Sequence, residues 1–97
     1  MRLVWDEAKD AANRKKHGIG FKEASALFTG GADYLEIYDE EHSGDEDRFI
    51  AIGPIRRGLV LVVFTEREYD TCRIISARWA TKRETQRFQR YLRGLSS

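Results

Sequence analysis

His17 is the side chain best suited to moving a proton near neutral pH, because an unperturbed imidazole titrates there. It stands where a helix should end, so its other reading is a cation that satisfies the terminal carbonyls and the negative end of the helix dipole. Arg78 shares an expected strand face with Ser76 and could grip a phosphate with two parallel hydrogen bonds. The alternative for Arg78 is a structural ion pair with Glu66 or Glu84. Glu66 closes an apolar run and is either a base held at a strand end or a solvated turn residue. Arg48 and Arg73 each open a strand, where they would bind phosphate or blunt a sheet edge with charge. Cys72, the single cysteine, falls inside a strand pattern, which excludes an internal disulfide and leaves no zinc cluster; it reads as a small buried filler.

The elements that must position these groups follow from spacing. Leu3-Val4-Trp5 is short and apolar, and Asp6 is a good N-cap for a helix running to His17. Ala8, Ala11 and Ala12 give that helix a shallow apolar stripe, and Gly18 supplies a left-handed stop. Phe21, Ala24, Leu27 and Phe28 mark a second short helix ended by Gly30-Gly31, which must pack on a sheet to be stable. Four strands are expected next: Tyr34 to Tyr38, Arg48 to Ile52, Leu59 to Phe64 and Arg73 to Trp79. The polar stretch Asp39 to Asp47 reads as a mobile loop, and Gly53-Pro54 to Gly58 as a turn that keeps Pro54 outside the ladder. Leu59 to Phe64 is apolar on both faces, as a central strand should be. Glu66 to Asp70 makes the turn into the last strand.

In that last strand, alternation puts Arg73, Ile75, Ala77 and Trp79 on one side and Ile74, Ser76 and Arg78 on the other. Thr81-Lys82-Arg83-Glu84 is a capping box that starts a C-terminal helix. Phe88, Tyr91, Leu92 and Leu95 would lay its stripe on the sheet and leave Arg87, Arg90 and Arg93 to water. Short turns between the strands favour an antiparallel meander. The expectation is one α+β domain over residues 1–97, with N-terminal helices, a sheet and a C-terminal helix packed on it.

The net charge of +1 conceals a segregation. Eight acidic residues and no Lys or Arg lie between Asp33 and Asp47, so the rest of the chain carries +9. From Arg73 onward seven basic residues face Glu84 alone. A concentrated positive surface suits a polyanion or an acidic partner segment, and the acidic window could screen it or hold a basic partner. No apolar run reaches a membrane span and no signal peptide pattern opens the chain, so a soluble cytoplasmic protein without membrane contact is expected.

One ordered set of residues resembles a known family. Trp5-Asp6-x-x-Lys9 with Asn13, Lys16-His17-Gly18-Ile19-x-Phe21-x-Glu23-Ala24 with Phe28, Glu46-x-Arg48 with Gly53, and Arg73-Ile74-Ile75-Ser76-Ala77-Arg78 with Ala80-Thr81-x-x-Glu84 are similar to the BrnT toxins of BrnT/BrnA type II toxin-antitoxin systems. The chain departs from that pattern at Gly20, at Gly30-Gly31 and at Trp79. The resemblance implies a RelE-like fold and an endoribonuclease that cuts messenger RNA, free or on the ribosome, and arrests translation. It also implies neutralisation by a BrnA-type antitoxin whose ribbon-helix-helix part binds operator DNA, so that the complex represses its own operon. Such a part would dimerise and bring two or more toxins together.

Given that activity, the residues fit cleavage without a metal or other cofactor, since the carboxylate or His clusters of a metal nuclease are missing from the sequence. The 2'-hydroxyl would attack the phosphate and leave a 2',3'-cyclic phosphate, with His17, Arg78, Glu66 and Arg48 as catalytic candidates. Lys9, Lys16, Arg67, Arg73, Lys82 and Arg83 would position the RNA backbone. Trp5, Trp79, Tyr34 and Tyr38 would stack on bases, or else belong to the core or an antitoxin interface. The competing reading is a catalytically inactive, toxin-like binding module that acts as a corepressor only with its antitoxin.

Overall fold

The helix start and stop signals in the sequence, Asp6, Gly18, Gly30 and the Thr81–Glu84 box, are used in the computed structural model, which describes residues 1–96. After strand β1 (Arg2–Trp5), the Asp6 carboxylate accepts from the Lys9 amide at 2.9 Å and opens α1 (Glu7–His17). Gly18, at φ 72°, closes it, its N–H donating to the Arg14 carbonyl. Helix α2 (Phe21–Thr29) begins at Gly20, which has no side chain to cap it. The cap comes from α1 instead: buried Asp10 accepts from the Phe21 amide at 2.7 Å and from Arg14 at 2.6 Å. A Cβ on Gly20 would sit 3.1 Å from the Arg14 side chain, so a larger residue there would require Arg14 to shift by a few tenths of an ångström.

The stripe of Ala8, Ala11 and Ala12 expected to seat α1 is exposed. What α1 buries is polar, Asp10 and Asn13. The Asn13 carboxamide donates to the Ala77 carbonyl at 2.8 Å and to the Ile19 carbonyl at 2.9 Å, and accepts from the Ala77 amide at 3.2 Å. Hydrogen bonding to a strand edge, rather than apolar area, therefore fixes this helix.

The sheet has five strands in the order β1-β5-β4-β3-β2, comprising also β2 (Leu35–Tyr38), β3 (Phe49–Ile55), β4 (Gly58–Arg67) and β5 (Thr71–Trp79). It is mixed. β1 lies parallel to β5, with Trp5 opposite Ile74, so the purely antiparallel meander expected above holds only for β2 to β5. β4 is central and buried on both faces, as its composition requires. The segment Gly53 to Ile55 continues β3 instead of turning, and the hairpin is Arg56-Arg57. Pro54 is tolerated in the ladder because β2 ends its pairing at Ile52, leaving Pro54 with β4 on one side only. Likewise β4 runs through Glu66 to Arg67, and the turn into β5 is taken by Tyr69 and Asp70 at positive φ.

The second departure sets the site. Val63 pairs with Ser76 but Phe64 pairs with Ile74, so Ile75 is an extra, bulged residue. The bulge shifts the alternation by one. Cys72, Ile74 and Ala77 join the α2-side core with Val60, Val62, Phe64, Phe21 and Leu27, and Trp79 packs against it. Ser76, Arg78 and bulged Ile75 open onto the other face, where Ile52 and Leu61 pack with Phe88 of α3 (Lys82–Ser96). Arg73 and Ile75 thus leave the Ala77 face, and Ile74 leaves that of Arg78. On α3, Tyr91 and Leu92 join the core as expected, but Leu95 is 53% exposed. No helix among the described residues is long and apolar enough to cross a membrane. Ser97, the last residue of the expected domain, lies outside the described residues.

Replacing Asn13 with Ala leaves one amide and two carbonyls without their partners, and an unsatisfied buried polar group costs about 1–3 kcal/mol. Asn13→Ala is expected to lose about 3 kcal/mol in urea unfolding; a loss below about 1 kcal/mol would show that water replaces the carboxamide.

Candidate active site

The face of β3, β4 and β5 that α3 leaves partly uncovered carries a cleft of about 350 Å³. Its floor is Ile50, Leu61, Val63 and Ile75, and its polar groups are Arg48, Ser76, Arg78, Asp39, Glu41, His42 and Glu84. Two arginines, a hydroxyl and an imidazole thus share this apolar floor with three carboxylates, of which Glu84 is engaged by Arg78 and Asp39 by His42.

Arg78 is held by the helix cap. Its Nη1 and Nη2 donate to the two Glu84 oxygens at 2.8 Å each, and Nη1 also donates to the Trp79 carbonyl at 3.3 Å. The capping box is present as expected, with the Thr81 amide donating to Glu84 at 2.8 Å and the Glu84 amide to the Thr81 hydroxyl at 3.2 Å. The structural alternative for Arg78, pairing with Glu84, is therefore formed. Of the five guanidinium hydrogens these bonds take three, and among the described residues Nε–H and one Nη2–H have no hydrogen-bond partner. The Arg78 bond pulls the Glu84 carboxyl down to about 2, and the same bond raises the Arg78 guanidinium.

The acidic window is tied down rather than loose at its base. The Asp39 amide donates to the Arg48 carbonyl at 2.8 Å, the Ser43 hydroxyl to the Asp39 carbonyl at 2.6 Å, and the Arg48 amide to the Ser43 hydroxyl at 2.9 Å. His42 Nδ1 lies 3.0 Å from Asp39 Oδ2.

The other candidates lie elsewhere. His17 ends α1 and is not among the residues that line the cleft. Glu66 faces the opposite side of the sheet, in a cavity of about 150 Å³ with Glu36, Tyr34, Phe28 and Cys72. There burial and the Glu66 charge raise the Glu36 carboxyl, and burial pushes the Cys72 thiol up to about 12, which leaves it inert as expected of a buried filler. Arg67 pairs with Glu46 at 3.2 Å. Arg73 and Lys9 share a shallow depression with Trp5 at the β1 edge. Lys16, Lys82 and Arg83 are exposed, the last two in the first turn of α3 next to Glu84. Trp5 packs edge-on against Phe21 and Tyr34 against Phe28, whereas Tyr38 stays 48% exposed with its hydroxyl on Asp47 at 2.9 Å. Trp79 lies on the core beneath the Arg57 guanidinium, 5.1 Å from its ring centre.

Residues 5–84 match the model of the ribonuclease toxin, BrnT, of type II toxin-antitoxin systems. The chain belongs to the BrnT family. It is also similar to the crystal structure of the Brucella abortus ribonuclease toxin BrnT, with a TM-score of 0.63 and 26% identity over 84% of this chain and 99% of that one. No curated protein sequence matches it. As a BrnT-family member it is a ribonuclease toxin of a type II toxin-antitoxin system, and such a toxin has an antitoxin partner.

Arg48 and Arg78 are the two sequence candidates that this BrnT-family fold brings together. The groups that sequence reasoning passed over are His42 and Asp39. Their signal was a histidine three residues after an aspartate in an otherwise acidic loop, the spacing at which an Asp side chain closes a turn on its neighbour.

Because the Glu84 carboxyl is depressed in the fold, its pairing stabilises the protein above the ordinary carboxyl value of 4.5 and is lost as pH falls through that value toward about 2. With solvent screening at the half-exposed Arg78, Glu84→Gln is expected to cost on the order of 2 kcal/mol at pH 7. The difference from the native chain should shrink across that acidic window in urea titrations; one that persists at the lowest pH would mean packing, not charge, holds the cap.

Proposed function

We propose that this chain is a metal-independent endoribonuclease that cuts messenger RNA and so inhibits translation in the cytoplasm. Its α+β fold is read as RelE-like, in one domain over residues 1–97. One observation carries the activity: Arg48 and Arg78 line the same cleft with Ser76, over an apolar floor that lowers the local dielectric. A phosphodiester seated there would have both its oxygens and the charge that builds on them facing guanidinium groups. The 2'-hydroxyl of the RNA is then the nucleophile, and the product ends are a 2',3'-cyclic phosphate and a 5'-hydroxyl. Lys82 and Arg83, exposed at the start of α3, would extend the positive track along the RNA backbone, with Arg73, Lys9, Lys16 and Arg67 as more distant contacts.

The antitoxin is read as BrnA-type, with a ribbon-helix-helix part that carries the complex to operator DNA and represses the operon. The second reading, an inactive corepressor module, draws on one specific observation, that Arg78 is already paired with Glu84. On that reading the arginine serves the fold alone.

The two readings separate in a cleavage assay with a labelled single-stranded RNA, in EDTA, with and without ribosomes. The native chain is expected to leave cyclic-phosphate ends, and Arg78→Ala or Arg48→Ala to lower the rate about 10²–10³-fold, as for the loss of one charge-stabilising donor. Arg78→Lys should not restore it, since a point charge cannot replace the fork. Intact RNA under all conditions, from native protein that unfolds cooperatively, would favour the corepressor.

A further inference from the structure

The geometry points to His42 as the proton-accepting group of this cleft, with Asp39 as the residue that positions it, on the reading that the cleft cleaves RNA. His42 lines the cleft with Arg48, Ser76 and Arg78, and its side chain is 63% exposed, whereas the Asp39 carboxylate beside it is only 11% exposed. A mostly covered carboxylate against one nitrogen of an exposed ring is the arrangement that fixes a tautomer. Nδ1 sits 3.2 and 3.0 Å from the two Asp39 oxygens, and a carboxylate can only accept there. The proton of the neutral ring is therefore on Nδ1, and Nε2 carries the lone pair.

Asp39 itself is immobilised. Its amide donates to the Arg48 carbonyl, its carbonyl accepts from Ser43, and its Oδ1 accepts from the His42 amide at 3.3 Å. Among the described residues its carboxylate has no Lys or Arg partner, so the charge is available to stabilise an imidazolium. These bonds also couple the imidazole to Arg48, because the Ser43 hydroxyl that donates to Asp39 accepts from the Arg48 amide. Base and phosphate-binding cation thus hang on one short loop.

In the proposed step Nε2 of His42 takes the proton of the RNA 2'-hydroxyl. The freed oxygen forms its bond to phosphorus as the bond from phosphorus to the 5'-oxygen breaks, and that departing oxygen takes a proton from water. The imidazolium, held against Asp39, then returns its proton to solvent. Nothing is oxidised or consumed, and Arg48 and Arg78 face the phosphoryl oxygens throughout. The charged groups that line the cleft with His42 are Asp39, Glu41, Glu84, Arg48 and Arg78, with Asp45 and Glu46 in the adjoining depression.

The test is a pH profile of single-stranded RNA cleavage from about pH 5 to 9 by the full chain in EDTA, with each variant checked for native unfolding. His42→Ala is expected to lose about 10²–10⁴-fold in rate and the acidic limb of the profile, with part of the rate returned by added imidazole. Asp39→Asn keeps an oxygen for the His42 amide but offers an N–H to the ring, which turns the lone pair away from the cleft. It should slow cleavage and move the acidic limb to lower pH, whereas a residue that only staples the loop would change stability and leave the profile in place. Native-like rate and profile in His42→Ala, or loss confined to His17→Ala, overturns the assignment while the nuclease reading stands. A native chain that leaves RNA intact overturns both.

Discussion

The outer edge of β5 is the constraint on which the rest of the molecule depends. β1 covers that edge only as far as Ile74, and past it the Ala77 amide and carbonyl still need partners away from water. Asn13 supplies both from one carboxamide, acting as a single residue of a strand that is not there. Because the same group also holds the Ile19 carbonyl, and Asp10 one turn earlier caps α2, a polar stripe on α1 welds the helical layer to the sheet. A greasy contact would tolerate sliding. Three directional bonds do not, which is why α1 can leave its alanines in water.

With that edge fixed, the bulge at Ile75 decides which face each side chain of β5 serves. Without it Arg78 would keep the phase of Ile74 and turn toward the α2 core, where an unpaired guanidinium is prohibitively costly. With it, Ile74 and Ala77 are both buried on that side and Arg78 opens onto the cleft. The sheet then separates two electrostatic environments. On the α2 side Glu36 and Glu66 share a partly closed cavity, where burial and the Glu66 charge favour the neutral form of Glu36. On the α3 side the arginines and the imidazole meet.

Local motifs are used twice in building that second side. The Thr81–Glu84 capping box starts α3, and its carboxylate also fixes the guanidinium of Arg78. The Asp39 turn closes the acidic loop, and its carboxylate also faces His42. In each case a group needed for backbone satisfaction orients a side chain in the cleft, so the site is held by structure that must form anyway. Exposure grades with that economy: the carboxylates are the more buried members of both pairs, and the basic groups reach solvent. The polar loop Asp39 to Asp47, which in composition looks like a disordered tract, is thereby drawn into the fold where it starts, at Asp39, and just after it ends, at Arg48.

The sequence by itself determined the elements whose signals are local: the Asp6 and Gly18 ends of α1, the capping box of α3, the doubly apolar β4 and the stripe of Phe88, Tyr91 and Leu92. Caps and periodicity act within a few residues, so they are written in short stretches of chain, and the ordered motifs that mark the BrnT family lie in the same stretches. Tertiary structure alone decided the parallel pairing of β1, the polar burial of α1, the bulge at Ile75, and the separation of His17 and Glu66 from Arg78. Each depends on partners far apart in the chain, Asn13 with Ala77 above all, and no spacing rule reports a hydrogen bond across 64 residues. His42 and Arg78 share a cleft for the same reason: neither residue's neighbours in sequence reveal which face of the sheet it will find.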